Sequence, residues 1–155
     1  MIFTPEHCRA ILEGRKTKTR RVRKEGESEA SIPVHTVFHQ ARERDGLLLR
    51  WPKWSVGNTY AIQPGRGKKS VGRILITGIR REKLQDISKE DITSEGYPLI
   101  EFEDEHEQAI AFAEIWDSIN IPPHDWASNS DVWVLEFKLS LPLFDYILAC
   151  GDSQE

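Results

Sequence analysis

An α+β fold built around one core is what this sequence predicts, and three observations carry the prediction. The chain's 155 residues suit one domain and leave little room for two. Helical and strand periodicities follow one another as helix, long connection, strands, two helices and strand, an order unlike a βαβ repeat. Apolar residues make up 39% and charged residues 30%, a globular balance.

The elements follow in order. Thr4-Pro5-Glu6 is a helix start, with Thr4 as N-cap and Pro5 at the first helical position. Cys8, Ile11 and Leu12 share a face of that helix, and Gly14 is placed to end it. Residues 15–24 then hold seven cations and no acid. Residues 25–50 form a long polar connection in which 34–44 have the pattern of a short helix; connections of that length are usually mobile or functional loops.

Trp54-Ser55-Val56-Gly57-Asn58 leads into a strand over 59–63, followed by a turn-rich basic loop, Pro64-Gly65-Arg66-Gly67-Lys68-Lys69. Val71, Ile74, Leu75, Ile76 and Ile79 mark a strand over 70–79. Ser88 caps a short helix reaching Glu95, with Asp91 near the capping-box position and Gly96 as the stop. After the acidic stretch 101–107, Ala109, Phe112, Ile115, Trp116 and Ile119 form a helical stripe that ends before Pro122-Pro123. Trp133, Leu135, Phe137 and Leu139 alternate with Glu136 and Lys138 in a half-exposed closing strand, and residues 141–155 form a tail.

Several function classes are excluded or disfavoured. The longest apolar candidate, 139–150, is broken by Pro142 and Asp145, and no run approaches the roughly 18 residues of a membrane span. The start of the chain turns polar after three residues, unlike a signal peptide, so a soluble cytoplasmic protein is expected. Cys8 and Cys150 are expected as free thiols, and His35 and His39 lack a third ligand, so neither metal nor cofactor is expected. Gly65-Arg66-Gly67-Lys68-Lys69-Ser70 departs from a phosphate-binding P-loop, because an extra lysine intervenes and Ile62 stands where the first glycine belongs.

The net charge of −4 hides an asymmetry. Residues 1–89 hold 20 of the 21 Lys and Arg against nine acids, whereas 90–155 hold Lys138 against 16 acids. Two readings stand open: the basic half meets a polyanion, or the halves neutralise each other across one interface. The tryptophans divide similarly. Trp116 and Trp133 lie on core stripes, while Trp51, Trp54 and Trp126 are candidates either for packing or for stacking on a base.

Several blocks together resemble the ASCH family of the PUA-like superfold. They are Ile11-Leu12-Glu13-Gly14-Arg15-Lys16-Thr17-Lys18-Thr19-Arg20, Trp54-Ser55-Val56-Gly57-Asn58-Thr59-Tyr60, Arg81-Glu82-Lys83-Leu84-Gln85-Asp86-Ile87-Ser88 and Glu95-Gly96-Tyr97, with Trp133-Val134-Leu135-Glu136-Phe137 as the closing strand. The resemblance spans roughly residues 1–140, and Gln63-Pro64-Gly65-Arg66-Gly67-Lys68 is similar to members carried by phages and bacteria. It implies a small mixed β-barrel flanked by short helices, with RNA or a modified nucleoside as partner in a basic cleft. One bacterial branch of the family hydrolyses the acetyl amide of N4-acetylcytidine. Motif matching then implies Lys16 as base, Thr19 as nucleophile and Glu95 as the partner carboxylate. A non-catalytic RNA-binding module and a ribonuclease are the alternatives.

The chemistry suits those side chains. A threonine hydroxyl needs a base to take its proton, and a lysine serves only if its pKa falls far below about 10. Burial and the nearby cations Arg15, Arg20 and Arg21 push in that direction. Arg15, Arg20, Arg21, Arg66, Lys68, Lys69, Arg73 and Trp54 are the candidate contacts to the nucleic acid or substrate. In a regular strand, residues 16 and 19 face opposite ways, so a shared pocket requires a turn between them.

Overall fold

The computed structural model describes residues 1–27, 53–97 and 104–140, and between them the backbone of two short strands. Helix α1 (Pro5–Leu12) starts as expected, with the Thr4 hydroxyl accepting from the backbone N–H of His7 at 3.3 Å. Cys8, Ala10 and Ile11 are buried, but Leu12, expected beside them, is 45% exposed. The helix ends there, so Leu12 lies at the rim of the core, where its Cδ2 comes close to Gly72.

Strand β1 (Lys18–Val22) follows. Strands β2 (Arg42–Arg44) and β3 (Leu47–Leu49) form an antiparallel hairpin, which corrects the expected helix over 34–44 at its C-terminal end and gives the long connection structure of its own. Asp45-Gly46, between the two strands, is the sequence signal that marks such a hairpin. Residues 28–41 lie outside the described residues, as do His35, His39, Trp51, Cys150 and the 141–155 tail.

Strand β4 (Thr59–Ile62) pairs with β5 (Gly72–Lys83), and helices α2 (Lys89–Ser94) and α3 (Glu105–Ile119) precede the closing strand β6 (Asp131–Ser140). The main sheet is antiparallel, in the order β1-β6-β5-β4. Ile2 adds a parallel bridge to Gln63 beyond the end of β4. The α+β mixture expected from the sequence is the one observed.

Two strands differ from expectation. β5 runs four residues past Ile79 through Arg80-Arg81-Glu82-Lys83, with a register irregularity between Ile76 and Gly78. Charged residues continue the strand because β6 offers them partners: Arg81 and Lys83 reach Asp131, and Arg80 reaches Glu136. In β6 the expected half exposure holds only toward its end, since Val132, Trp133, Val134 and Leu135 are all buried. The strand is interior to the sheet and has packing on both faces. Trp133, Leu135 and Phe137 join Phe3, Cys8, Ile11 and the β4–β5 isoleucines, while Val132 and Val134 pack with Leu84, Ile92, Phe112 and Trp116.

Candidate functional site

The segment between α1 and β1 is folded tightly by backbone bonds. The N–H groups of Arg15 and Lys16 both donate to the Ala10 carbonyl, at 2.9 and 3.0 Å. Thr17 N–H donates to Ser94 O at 2.8 Å, and Thr17 O accepts from Phe137 N–H at 2.9 Å, which ties α2 and β6 to this turn. Helix α2 begins at Ser88, whose hydroxyl accepts from Asp91 N–H, and it stops at Gly96 with φ +84°. A Cβ at Gly96 would lie 2.5 Å from Lys16 Cβ and 3.1 Å from Ala10 Cβ, so only glycine lets the helix end close over Lys16.

That closure leaves Lys16 1% exposed. Its Nζ donates to Glu95 Oε2 at 2.6 Å and to the Glu95 carbonyl at 2.8 Å. The other oxygen, Oε1, accepts from Arg20 Nη1 at 3.1 Å. Arg20 also donates to Glu82 Oε1 through Nε (2.8 Å) and Nη2 (2.5 Å), and its Nη2 reaches Asp91 Oδ2 at 2.5 Å. Lys18 donates to Asp91 Oδ1 at 2.6 Å, and Arg80 links Asp91 to Glu136. The cations come from residues 16–80 and three of the four acids from residues 91–136. Mutual neutralisation of the basic and acidic halves is thus realised at this interface.

Strand alternation sorts the rest. Lys18 and Arg20 point toward α2, while Thr19 and Arg21 take the face shared with Leu135 and Trp133, where α1 packs. Thr19 is 5% exposed, and its hydroxyl makes no hydrogen bond to another described residue, Lys16 and Glu95 included. Arg21 lies with its guanidinium 5.1 Å above the Phe3 ring and donates from Nη2 to the Ile2 carbonyl at 2.8 Å. Its Nε is sealed from solvent without a partner. The His7 ring, which feels the charges of Lys16, Glu95 and Arg21, meets Tyr97 edge-on at 5.4 Å.

Electrostatics follow from this packing. Burial lowers the Lys16 pKa; Glu95 opposes the shift, and Arg21 and Arg20 add to it. Burial, with Lys16 next in effect, holds His7 down to about 4, so its imidazole is neutral at pH 7. Burial pushes the Asp91 carboxyl up, but the hydrogen bonds from Lys18 and Arg20, together with the charges of Arg20 and Arg80, outweigh it and bring Asp91 to about 2. Burial and Glu95 both raise the Tyr97 phenol.

The other expected contacts lie elsewhere. Arg66, Lys68 and Lys69 are exposed on the β4–β5 loop, at the opposite edge of the sheet from β1. Arg73 donates to the hydroxyl and carbonyl of Thr59, and Arg15 to Glu13 and the Gly96 carbonyl. Trp54 packs against the α1-side core, and Trp126 stands edge-on to Phe112 at 6.0 Å. Residues 1–3 span between the sheet edges, because Ile2 pairs with Gln63 and also accepts from Arg21. The sequence motifs include Glu82 and Tyr97 without giving them a role, leave out His7, and mark Asp91 only as a cap. Among the described residues no cluster of His, Cys, Asp and Glu could hold a metal, and no helix is long and apolar enough to cross a membrane.

No family model matches this chain, and no curated protein does. Similar solved structures exist. The protein EF3133 of Enterococcus faecalis, assigned to the family DUF984, is 12% identical with a TM-score of 0.53, covering 96% of this chain and 74% of its own. The ASCH domain of Lactobacillus crispatus is 17% identical with a TM-score of 0.46, over 85% of this chain and 69% of that one. A point mutant of the ASCH protein of Zymomonas mobilis is 12% identical, also at 0.46, over 99% and 81%. At these identities the likeness is one of fold, carried by EF3133.

Proposed function

We propose that this chain binds RNA or a modified nucleoside at the outer edge of β1, beside the buried Lys16–Glu95 pair. The observation that carries the reading is a lysine ammonium enclosed with one carboxylate and flanked by two groups, the Thr19 hydroxyl and the His7 ring, that make no hydrogen bond among the described residues. A site whose charges are already fixed and whose remaining donors and acceptors are unspent suits recognition of a polar, neutral base edge. The exposed Arg66, Lys68 and Lys69 supply cations for the phosphates of a longer strand.

A second reading, hydrolysis of the exocyclic acetyl amide of N4-acetylcytidine, is favoured by the two bonds that Lys16 makes. A neutral amine has two N–H groups, and both have acceptors on Glu95, which leaves the lone pair for a hydroxyl proton. Thr19 Oγ1 would attack the amide carbonyl carbon as Lys16 takes its proton. The C–N bond would then break, with that proton passing to the leaving cytosine amine, and water would release acetate from the acyl-threonine. Incubation with N4-acetylcytidine tests this. Cytidine and acetate should form with wild type and fall at least about 100-fold with the isosteric Thr19→Val. Binding without turnover would leave the first reading alone, and absence of both binding and turnover would refute each.

A further inference from the structure

Arg20 and Arg21 are adjacent, yet their charges are treated oppositely. Arg20 meets three carboxylates, those of Glu82, Asp91 and Glu95. Arg21 has no carboxylate within ion-pair distance among the described residues, and its guanidinium donates there to the Ile2 carbonyl. Its Nε is shielded from water with nothing to donate to. A desolvated guanidinium edge without counter-charge is costly unless a ligand supplies one. The shape also restricts the ligand, because Nε–H and the second N–H of Nη2 form the side-on fork that matches the paired oxygens of phosphate.

We propose that Arg21 and His7 form a phosphate subsite next to the Lys16–Glu95 pair. The proposal rests on the nucleoside reading and adds that the ligand arrives with a phosphate. The His7 ring is available, since it makes no hydrogen bond among the described residues and touches Tyr97 only by an edge contact. The charges facing it are Lys16, Glu95 and Arg21 across the site and Glu6 on its own helix. Ile2, which accepts from Arg21, pairs with Gln63, whose Nε2 donates to the Lys68 carbonyl at 3.2 Å, so residues 1–3 link Arg21 to the β4–β5 loop. A phosphate held there would add negative charge beside His7 and favour its imidazolium.

The experiment uses the whole chain, labelled with 15N, and four probes: cytidine, cytidine 5′-monophosphate, inorganic phosphate and the dinucleotide CpC. The monophosphate should bind at least about tenfold more tightly than cytidine. The Arg21 Nε–H resonance should move with phosphate-bearing probes only, and the His7 titration midpoint should rise with them. Arg21→Gln should remove the tenfold preference and leave cytidine affinity unchanged. The wild-type Nε resonance keeps the test decisive should that variant fail to fold. A response to CpC alone identifies the phosphodiester of RNA, and a response to the monophosphate alone a free nucleotide; both support the subsite. Equal affinity for cytidine and its monophosphate with a stationary Arg21 Nε overturns it and leaves the nucleoside reading standing. Movement of Arg21 Nε with inorganic phosphate, without binding of any nucleoside, sinks that reading and keeps the subsite.

Discussion

Residues 14–24 and residues 63–69 are both cation-rich and turn through glycine, yet the fold uses them in opposite ways. In the first, Lys16 and Arg20 are 1% and 4% exposed and fully engaged with carboxylates. In the second, Arg66, Lys68 and Lys69 point into solvent. The difference lies in what is brought near. Helix α2 carries Asp91 and Glu95 onto β1, whereas among the described residues no acid pairs with Arg66, Lys68 or Lys69. A cationic run in sequence therefore marks a polyanion surface only where the fold withholds acids.

The contrast can be broken most severely at Glu95. Glu95→Gln leaves Lys16 Nζ and Arg20 Nη1 facing a neutral amide in a buried site, and unfolding in urea should show a loss of about 3–5 kcal/mol. Gly96→Ala comes next, combining a left-handed φ with a Cβ 2.5 Å from Lys16 Cβ, and should lose about 1–3 kcal/mol.

Acid acts on the same region. His7 is held at about 4 in the native state, below its ordinary 6.5, so the unfolded chain takes up that proton first. Its contribution is complete above pH 6.5 and is lost as pH falls toward 4, on the order of 2–3 kcal/mol. Asp91, at about 2 against 3.8, extends the loss below pH 4. Urea midpoints measured from pH 7 to 3 check both windows, and His7→Phe should flatten the upper one.

The smallest stability effect belongs to the loop. Replacing Arg66, Lys68 and Lys69 together by Gln should change stability by less than about 0.5 kcal/mol. The same variant should reduce the salt dependence of RNA binding by about one unit of log–log slope per cation lost, read by fluorescence anisotropy at several salt concentrations.

Much of the fold was legible because the relevant signals are local. Thr4-Pro5 and Ser88 cap the helices that they announce, and Gly96 ends α2. The hairpin of β2 and β3 was obscured by an apparent helical pattern before it, although Asp45-Gly46 marked it. The charged end of β5 and the double burial of β6 depend on neighbours far along the chain, which periodicity cannot supply. At the site, motif resemblance paired Lys16 with Glu95 across 79 residues, and the structure joins them at 2.6 Å. Arg20 was expected to contact ligand, but it is engaged by Glu82, Asp91 and Glu95, partners that β5 and α2 bring from far along the chain. His7 was missed and Tyr97 was given no role, because an isolated histidine or tyrosine carries no functional signal until folding brings it near Lys16 and Glu95.

The most direct test of the central claim is chemical-shift mapping of N4-acetylcytidine titrated into the whole chain. Saturable shifts centred on His7, Lys16, Thr19 and Tyr97 are expected, with the amides of residues 65–69 unmoved. Shifts confined to residues 65–69, or none at all, would contradict it.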